Sequence, residues 1–209
     1  MTALTTQVYN PGAHGIFEVS STLVTGARDA VLINAQFSTV DAQKLVDMIR
    51  ASGKRLTTIF ISHGDPDFYF GLVTLVEAFP EARVLATPQT IAYIRKSSEG
   101  KLKYWGPILG AGAPSRVVVP EALHGDVIEL EGEQLQIVGL DGPTPDRTFV
   151  WIPSGAPWPA VSRCSATSTC GWPTRKARSR RPTGWQRWSA SRRCSRRPWF
   201  LATSGRARR

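Results

Sequence analysis

The sequence predicts a layered α/β fold. Strand-like and helix-like stretches alternate through residues 15–99, and residues 116–152 contain short strand-like stretches that follow one another. An alternation followed by consecutive strands is typical of proteins in which helices and sheets pack in layers. With 209 residues, the chain is long enough for one domain with a sizeable core.

A β-hairpin is expected first, within residues 15–34, because two apolar stretches flank a turn that contains Gly26. Ser38 or Thr39 then caps a helix that continues to about residue 52. The apolar stripe of this helix is predicted to consist of Val40, Leu45, Val46 and Ile49.

The alternation continues, and the next strands and helices are expected at residues 58–61, 71–79, 82–86 and from residue 88 onward. Residues 100–114 are richer in Gly and Lys and contain Trp105, so they are predicted to form a loop or lid. A hairpin turn is expected at Gly132. The last predicted strands lie at residues 116–119, 126–130, 134–138 and 148–152.

The candidate functional residues lie in one stretch, TTIFISHGDPDFYFGL, which covers residues 57–72. A short buried strand runs directly into a turn that carries His63, Asp65 and Asp67. The strand fixes the backbone while the loop after it stays open to solvent, so this is a favourable place for chemistry. A purely structural interpretation also exists, in which His63 ends the strand, Asp65 forms a turn and Asp67 caps a helix.

This stretch resembles the metal-binding signature of the metallo-β-lactamase superfamily, in which a strand is followed by His-x-His-x-Asp-His and then Gly. His63 matches the first His and Asp67 matches the Asp. Asp65 stands in the second His position and could bind a metal through oxygen, whereas Phe68 stands in the last and has no lone pair. The resemblance therefore implies at most one ion of zinc, or of iron or manganese, or no metal, with candidate ligands His63, Asp65 and Asp67.

The resemblance covers residues 7–153 and implies an αββα sandwich that is incomplete in its C-terminal half. A later family motif, Gly-His-Thr-Pro-Gly, should supply a third histidine, but this chain has Pro143 in that position. Proline cannot ligate a metal. The neighbouring carboxylates of Asp141 and Asp146 are interpreted as solvated turn residues.

The resemblance implies a hydrolase in which a metal-activated water attacks an ester, lactone, thioester or amide carbonyl. Asp67 would be the catalytic residue, because it would help to orient the attacking water. The alternative is a metal-free member that binds a ligand or partner. Aromatic residues at 68–70 would then line its pocket, and Trp105 could cover it.

The net charge of +10 comes entirely from the C-terminal tail. Residues 1–155 carry twelve Lys and Arg and all sixteen Asp and Glu, a balance of −4, whereas residues 156–209 carry fourteen Lys and Arg and no acidic residue. The tail shows neither helical nor strand periodicity. We therefore predict a metallo-β-lactamase-like domain at residues 1–153 and a basic, irregular or poorly packed tail at residues 154–209.

Two interpretations of this tail stay open. One is a basic arm with interleaved aromatic residues that binds RNA or single-stranded DNA, although we do not expect nucleic acid to be the main partner. The other is a shifted reading frame, because GC-rich DNA read out of frame is rich in Arg, Pro, Ser, Ala and Gly codons. Back-translation with GC-rich codons, read from the third nucleotide of each codon, gives a strand, an amphipathic helix and a Gly-His pair. This result favours a nucleotide gained or lost near codons 153–156.

The chain has no apolar run long enough to span a bilayer. Residues 1–15 have neither the basic start nor the apolar core of a signal peptide. We therefore expect a cytoplasmic protein that binds a small-molecule substrate or ligand and has no membrane partner.

Overall fold

The computed structural model describes residues 4–152, which form nine β-strands and four α-helices. The strands are β1 (Thr5–Tyr9), β2 (Ser21–Thr25), β3 (Asp29–Ile33), β4 (Arg55–Ile61), β5 (Arg83–Ala86), β6 (Glu121–Ala122), β7 (Val127–Leu130), β8 (Glu133–Val138) and β9 (Phe149–Trp151). The helices are α1 (Thr39–Ser52), α2 (Pro66–Tyr69), α3 (Leu72–Ala78) and α4 (Pro88–Leu109).

The strands form two sheets. In the first sheet the order is β1-β2-β3-β4-β5-β6, antiparallel from β1 to β3 and parallel from β3 to β6. The second sheet is antiparallel, with the order β7-β8-β9. Because β3 to β6 are parallel, their carboxyl ends meet at one edge of the first sheet, where ligand sites of α/β proteins are commonly found.

Two apolar cores hold the layers together. Alternate residues of β3 point to opposite faces, so Leu32 belongs to the core with the helices while Val31 and Ile33 belong to the core with the second sheet. The residues that the second sheet contributes to this core are Ile128, Leu130, Leu135, Ile137 and Val150. The described part thus has helices packed on a sheet that packs on a second sheet, which confirms the predicted α/β sandwich.

Helix α1 forms as predicted in all but one residue of its stripe. The hydroxyl of Ser38 accepts a hydrogen bond from the Asp41 amide at its start, and Gly53 ends it with a φ of 65°. The buried residues of the helix are Ala42, Leu45, Val46 and Ile49. The prediction for Val40 is wrong, because it lies about 200° around the helix from Ala42 and is 57% exposed.

The predicted turn at Gly132 joins β7 to β8 and also connects the two sheets. Gly132 has a φ of 84° and Glu131 before it has a φ of 52°. The Glu131 carboxylate accepts hydrogen bonds from the amides of Ala27, Arg28 and Asp29 at 2.8, 2.6 and 2.7 Å. These amides belong to the turn between β2 and β3, so one side chain from the turn between β7 and β8 fixes the hairpin of β2 and β3.

The prediction of a loop at residues 100–114 is wrong for its first ten residues. Helix α4 continues through them to Leu109, and Trp105 packs its ring against Phe17 and Phe37 with centroid separations of 5.4 and 5.3 Å. This packing outweighs the low helix propensity of Gly100 and the Gly and Pro near the end of the helix. Trp105 is therefore part of an aromatic cluster within the fold.

The strands of the structure differ from the predicted strands at two further places. Residues 116–119 form no strand, and the sheet edge is completed by the two-residue strand β6, which follows Pro120. Strand β1 was not predicted, because TTQVY lacks a regular apolar alternation. It pairs along its whole length with β2, which explains its formation.

The predicted tail at residues 154–209, with its nucleic-acid-binding and shifted-frame interpretations, lies outside the described residues. Among residues 4–152, no helix is both long and apolar enough to cross a membrane.

Candidate functional site

The candidate site lies at the carboxyl ends of the parallel strands, where the chain leaves β3 at Asn34 and β4 at Ser62. A loop from the other sheet joins them. His63 forms an isolated antiparallel bridge with Arg147, and the amide of Thr148 donates a hydrogen bond to the Ser62 carbonyl at 2.9 Å. The end of β4 therefore pairs with the segment that leads into β9, and this places residues from both sheets around one loop.

A chain of buried hydrogen bonds orients His63. The hydroxyl of Ser62 donates to Asn34 Oδ1 at 2.8 Å, and the Ser62 amide donates to the same oxygen at 3.1 Å. Ser62 Oγ is also 2.7 Å from His63 Nδ1. Because the only hydroxyl hydrogen is donated to Asn34, Nδ1 carries the imidazole hydrogen and Nε2 keeps its lone pair.

Asn34 occupies a backbone conformation that few residues other than glycine adopt. Its φ is 65°, and Gln36 two residues later has a φ of 71°. The side chain of Gln36 is fixed by hydrogen bonds from Nε2 to the Val19 carbonyl and Ser21 Oγ at 2.8 and 2.9 Å. Backbone strain of this kind persists only where side-chain contacts enforce it, and it is common at functional sites. Nothing in the local sequence pattern identified Gln36.

Phe68 lies against His63. Their rings stack with centroids 4.2 Å apart and an angle of 11° between their planes. Burial, and then the charge of Arg147, lower the pKa of His63 to about 4. His63 is therefore a neutral imidazole at physiological pH, with an aromatic ring on one face.

The aromatic residues at 68–70 belong to the core beneath the loop. Phe68, Tyr69 and Phe70 are each no more than 2% exposed. Phe70 stacks on Phe37 at 5.7 Å, and Phe37 in turn contacts Trp105. Tyr69 has a buried hydroxyl that makes no hydrogen bond among the described residues, and burial raises its pKa. These side chains pack beneath the loop. The prediction that they line an open pocket is wrong.

Asp65 is held by two cations. Lys101 Nζ lies 3.2 Å from Oδ1, and Arg147 Nη2 lies 3.1 Å from Oδ2. Neither cation was recognised in the sequence. Lys101 follows Tyr93 by eight residues, which is about two turns of α4. A prediction of the helix to its full length would have placed these two residues on the same side of it. The contact with Arg147 joins residues 82 positions apart, so no local spacing indicates it.

Asp67 lies in the first turn of α2. Asp65 occupies the N-cap position of that helix and Pro66 its first turn, so the interpretation of Asp67 as the cap is wrong. Burial, reinforced by the charge of Asp65, raises the pKa of Asp67 to about 7. A carboxyl group with this pKa can both hold and release a proton near neutral pH.

The predicted turn residues near Pro143 lie at the rim of the site. The Arg147 amide donates to the Thr144 carbonyl at 2.9 Å, which closes a turn. Thr90 Oγ1 donates to the Asp146 carbonyl at 3.2 Å and connects this turn to the start of α4. Asp141 is exposed, as expected for a solvated turn residue.

The side chains of the loop are not arranged to hold a metal ion. Both carboxylate oxygens of Asp65 already contact cations, and the last His position holds the ring of Phe68. No group of three or more His, Cys, Asp or Glu side chains within residues 4–152 is placed to hold a metal. The described residues do not fit a resident metal in this arrangement, and the ligand roles of His63, Asp65 and Asp67 stay predictions.

The family model of the metallo-beta-lactamase superfamily matches residues 14–155. The chain belongs to this superfamily. That match includes the candidate loop, strands β2 to β9 and the turn with Pro143, so the positions that deviate from the family signature lie within the matched region. No curated protein matches the chain.

Solved metallo-β-lactamases share the fold. The BLEG-1 B3 enzyme has a TM-score of 0.51 and 11% identity, over 71% of this chain and 67% of its own. FEZ-1 from Legionella gormanii has a TM-score of 0.50 and 19% identity, over 64% and 51%. MIM-2 has a TM-score of 0.50 and 24% identity, over 65% and 51%. The chain thus spans about half the length of FEZ-1 and MIM-2, and these similarities concern the fold alone.

Proposed function

We propose that this chain is a member of the metallo-β-lactamase superfamily that binds a small molecule at the loop after β4 without a resident metal ion. The stacking of Phe68 on His63 carries the proposal. At the position where the family signature has its last histidine, an apolar ring covers one face of the remaining imidazole. The Phe68 side chain has no donor atom for a metal ion. Binding of a small molecule needs only the polar groups around the loop.

The polar groups at the surface of the site suit a small polar ligand. Asp65, Tyr93 and Arg147 are all partly exposed, and the guanidinium of Arg147 uses only Nη2 for Asp65. His63 is 7% exposed, and its Nε2 would act as an acceptor for a ligand hydroxyl or amide that enters the loop. A ligand with both a donor and an acceptor group would match this surface, and a primary or secondary amide has this character, whereas an ester, lactone or thioester group offers acceptors alone.

Metal analysis of the purified protein tests this proposal. We expect far less than one equivalent of zinc, iron or manganese per chain, and a melting temperature that EDTA does not change. A panel of esters, lactones, thioesters and their carboxylate products should contain compounds that raise the melting temperature. Stoichiometric metal whose removal lowers the melting temperature would overturn the proposal.

Hydrolysis is the second candidate function, and Asp67 favours it. A carboxylate with a pKa of about 7 can accept a proton from a water that attacks an ester, lactone, thioester or amide carbonyl, and can then return it to the leaving group. Hydrolysis that Asp67→Asn abolishes, with ligand binding intact, would support this candidate. Activity that appears only on addition of zinc, iron or manganese would instead support the metal-dependent reaction that the family resemblance implies.

A further inference from the structure

The ammonium of Lys101 is satisfied entirely within the protein. Nζ donates to the Gly64 carbonyl at 2.9 Å and to Asp65 Oδ1 at 3.2 Å, and it lies 4.4 Å from the centroid of the Tyr93 ring. The side chain is only 18% exposed. Long basic side chains usually extend into water. The Lys101 ammonium instead contacts three groups of the protein, two in the loop and one on helix α4, so its position is fixed by the fold.

Arg147 closes the other side of Asp65. Its guanidinium contacts Oδ2, while its backbone bridges to His63. The two cations come from α4 and from the segment before β9, which meet only in the folded protein. Together they fix one carboxylate and, through Gly64, the backbone of the loop that carries every predicted site residue.

A divalent cation that approaches Asp65 meets two fixed positive charges. Like charges within a few ångströms repel strongly in a partly buried site, and both Asp65 oxygens already have partners. In the family signature, a metal ion joins side chains from separate elements. In this chain, an ammonium and a guanidinium join the loop to helix α4 and to the segment before β9.

We propose that Lys101 and Arg147 form a cationic clamp on Asp65 that orders residues 63–69 and excludes divalent metal ions from the loop. This inference rests on the proposed metal-independent function. It makes Lys101 a positioning residue, because it acts through Asp65 and Gly64. The clamp explains how the loop can keep one conformation although two histidine positions of the family signature hold Asp65 and Phe68.

Hydrogen exchange at the loop amides tests the ordering role. Lys101→Met should raise the exchange rates of residues 63–69 about tenfold, as expected for the loss of charge-assisted hydrogen bonds. Lys103→Met is the matched control, because Lys103 is exposed on the same helix and should leave these rates unchanged. Arg147→Gln provides a second variant should Lys101→Met fail to fold. Equal loop exchange rates in wild type and in the clamp variants would overturn the clamp.

Calorimetric titration with Zn²⁺ and with Mn²⁺ tests the exclusion role. The wild type should bind neither ion, whereas the double variant Lys101→Met/Arg147→Gln should bind them more tightly than the wild type, because Asp65 is released. A double variant that binds these ions no more tightly than the wild type would overturn exclusion by the clamp. A wild type that is purified with bound metal would overturn the proposed function itself, so the two failures can be distinguished.

Discussion

Arg147 donates a hydrogen bond from Nη2 to Oδ2 of Asp65 at 3.1 Å, although 82 positions separate the two residues in the chain. The contact joins the loop of the first sheet to the turn that precedes β9. It also places a positive charge beside His63, which contributes to the low pKa of that imidazole. Geometry and protonation at this site therefore depend on a residue that belongs to neither family motif.

Asp67 and His63 should contribute oppositely to the pH dependence of stability. The pKa of Asp67 is raised from 3.8 to about 7, so the folded state binds more protons and stability falls as the pH rises from about 4 to 7. The pKa of His63 is lowered from 6.5 to about 4, so the unfolded state binds more protons and stability rises over about pH 4 to 6.5. The two effects should largely cancel in the wild type.

Urea denaturation at several pH values in this window separates the two contributions. Asp67→Asn should leave a free energy of unfolding that increases with pH, and His63→Gln should leave one that decreases. Asp126→Asn, at an exposed site, should keep the wild-type profile. The same pH profile for all four proteins would contradict the assigned pKa shifts.

Glu131→Gln should lower the melting temperature at neutral pH. The substitution replaces one carboxylate oxygen with an amide donor, which cannot accept the hydrogen bonds of the turn between β2 and β3. These bonds lower the pKa of Glu131, so the stability they contribute is lost as the pH falls through that value. Thermal denaturation compared with Glu129→Gln, an exposed residue of the same charge, measures the effect. Equal melting temperatures for both variants would show that the contact stabilises nothing.

Gly71→Ala should destabilise the fold by about 1–3 kcal/mol, in the range of overpacked sites. A Cβ atom at Gly71 would overlap the Ala35 carbonyl oxygen and would lie 2.7 Å from Ala42 Cβ. Gly100→Ala is the control, because no atom outside the backbone of its own helix lies within 4 Å of its Cβ position and alanine favours helix α4 by about 1 kcal/mol. Chemical denaturation of both variants checks this, and a stabilised Gly71→Ala protein would refute the packing seen here.

Resequencing of the source DNA should find one nucleotide gained or lost near codons 153–156. The intact mass of the protein from its source cells should then differ from 22.9 kDa. A confirmed frame and mass would instead make the basic tail genuine. Binding to single-stranded RNA that weakens steeply with salt and is lost on deletion of residues 156–209 would then become the expected behaviour.

Local patterns were sufficient to predict much of the fold and the position of the site. The buried strand before His63, the cap at Ser38 and the Gly-containing turns all depend on residues close in sequence. Helix α4 was predicted too short, because Gly100 and Gly106 have low intrinsic propensity and the packing of Trp105 that offsets it involves distant partners.

The partners of Asp65 could not be predicted for the same reason. Lys101 reaches the loop only because α4 continues past residue 100, and Arg147 reaches it only because the second sheet packs on the first. Sequence spacing identified a carboxylate that could bind a metal. Tertiary packing determined that the charges around it are an ammonium and a guanidinium.

The bridge between His63 and Arg147 has a consequence for synthesis of the chain on the ribosome. Strands β1 to β5 emerge early and can pair with neighbours that are already present. The loop at residues 63–69 must wait for Arg147, which is made much later, and until then Asp65 lacks one of its two cations. Translation pauses or chaperones that act between these two moments should therefore affect the yield of protein with an ordered loop more than the yield of folded first sheet.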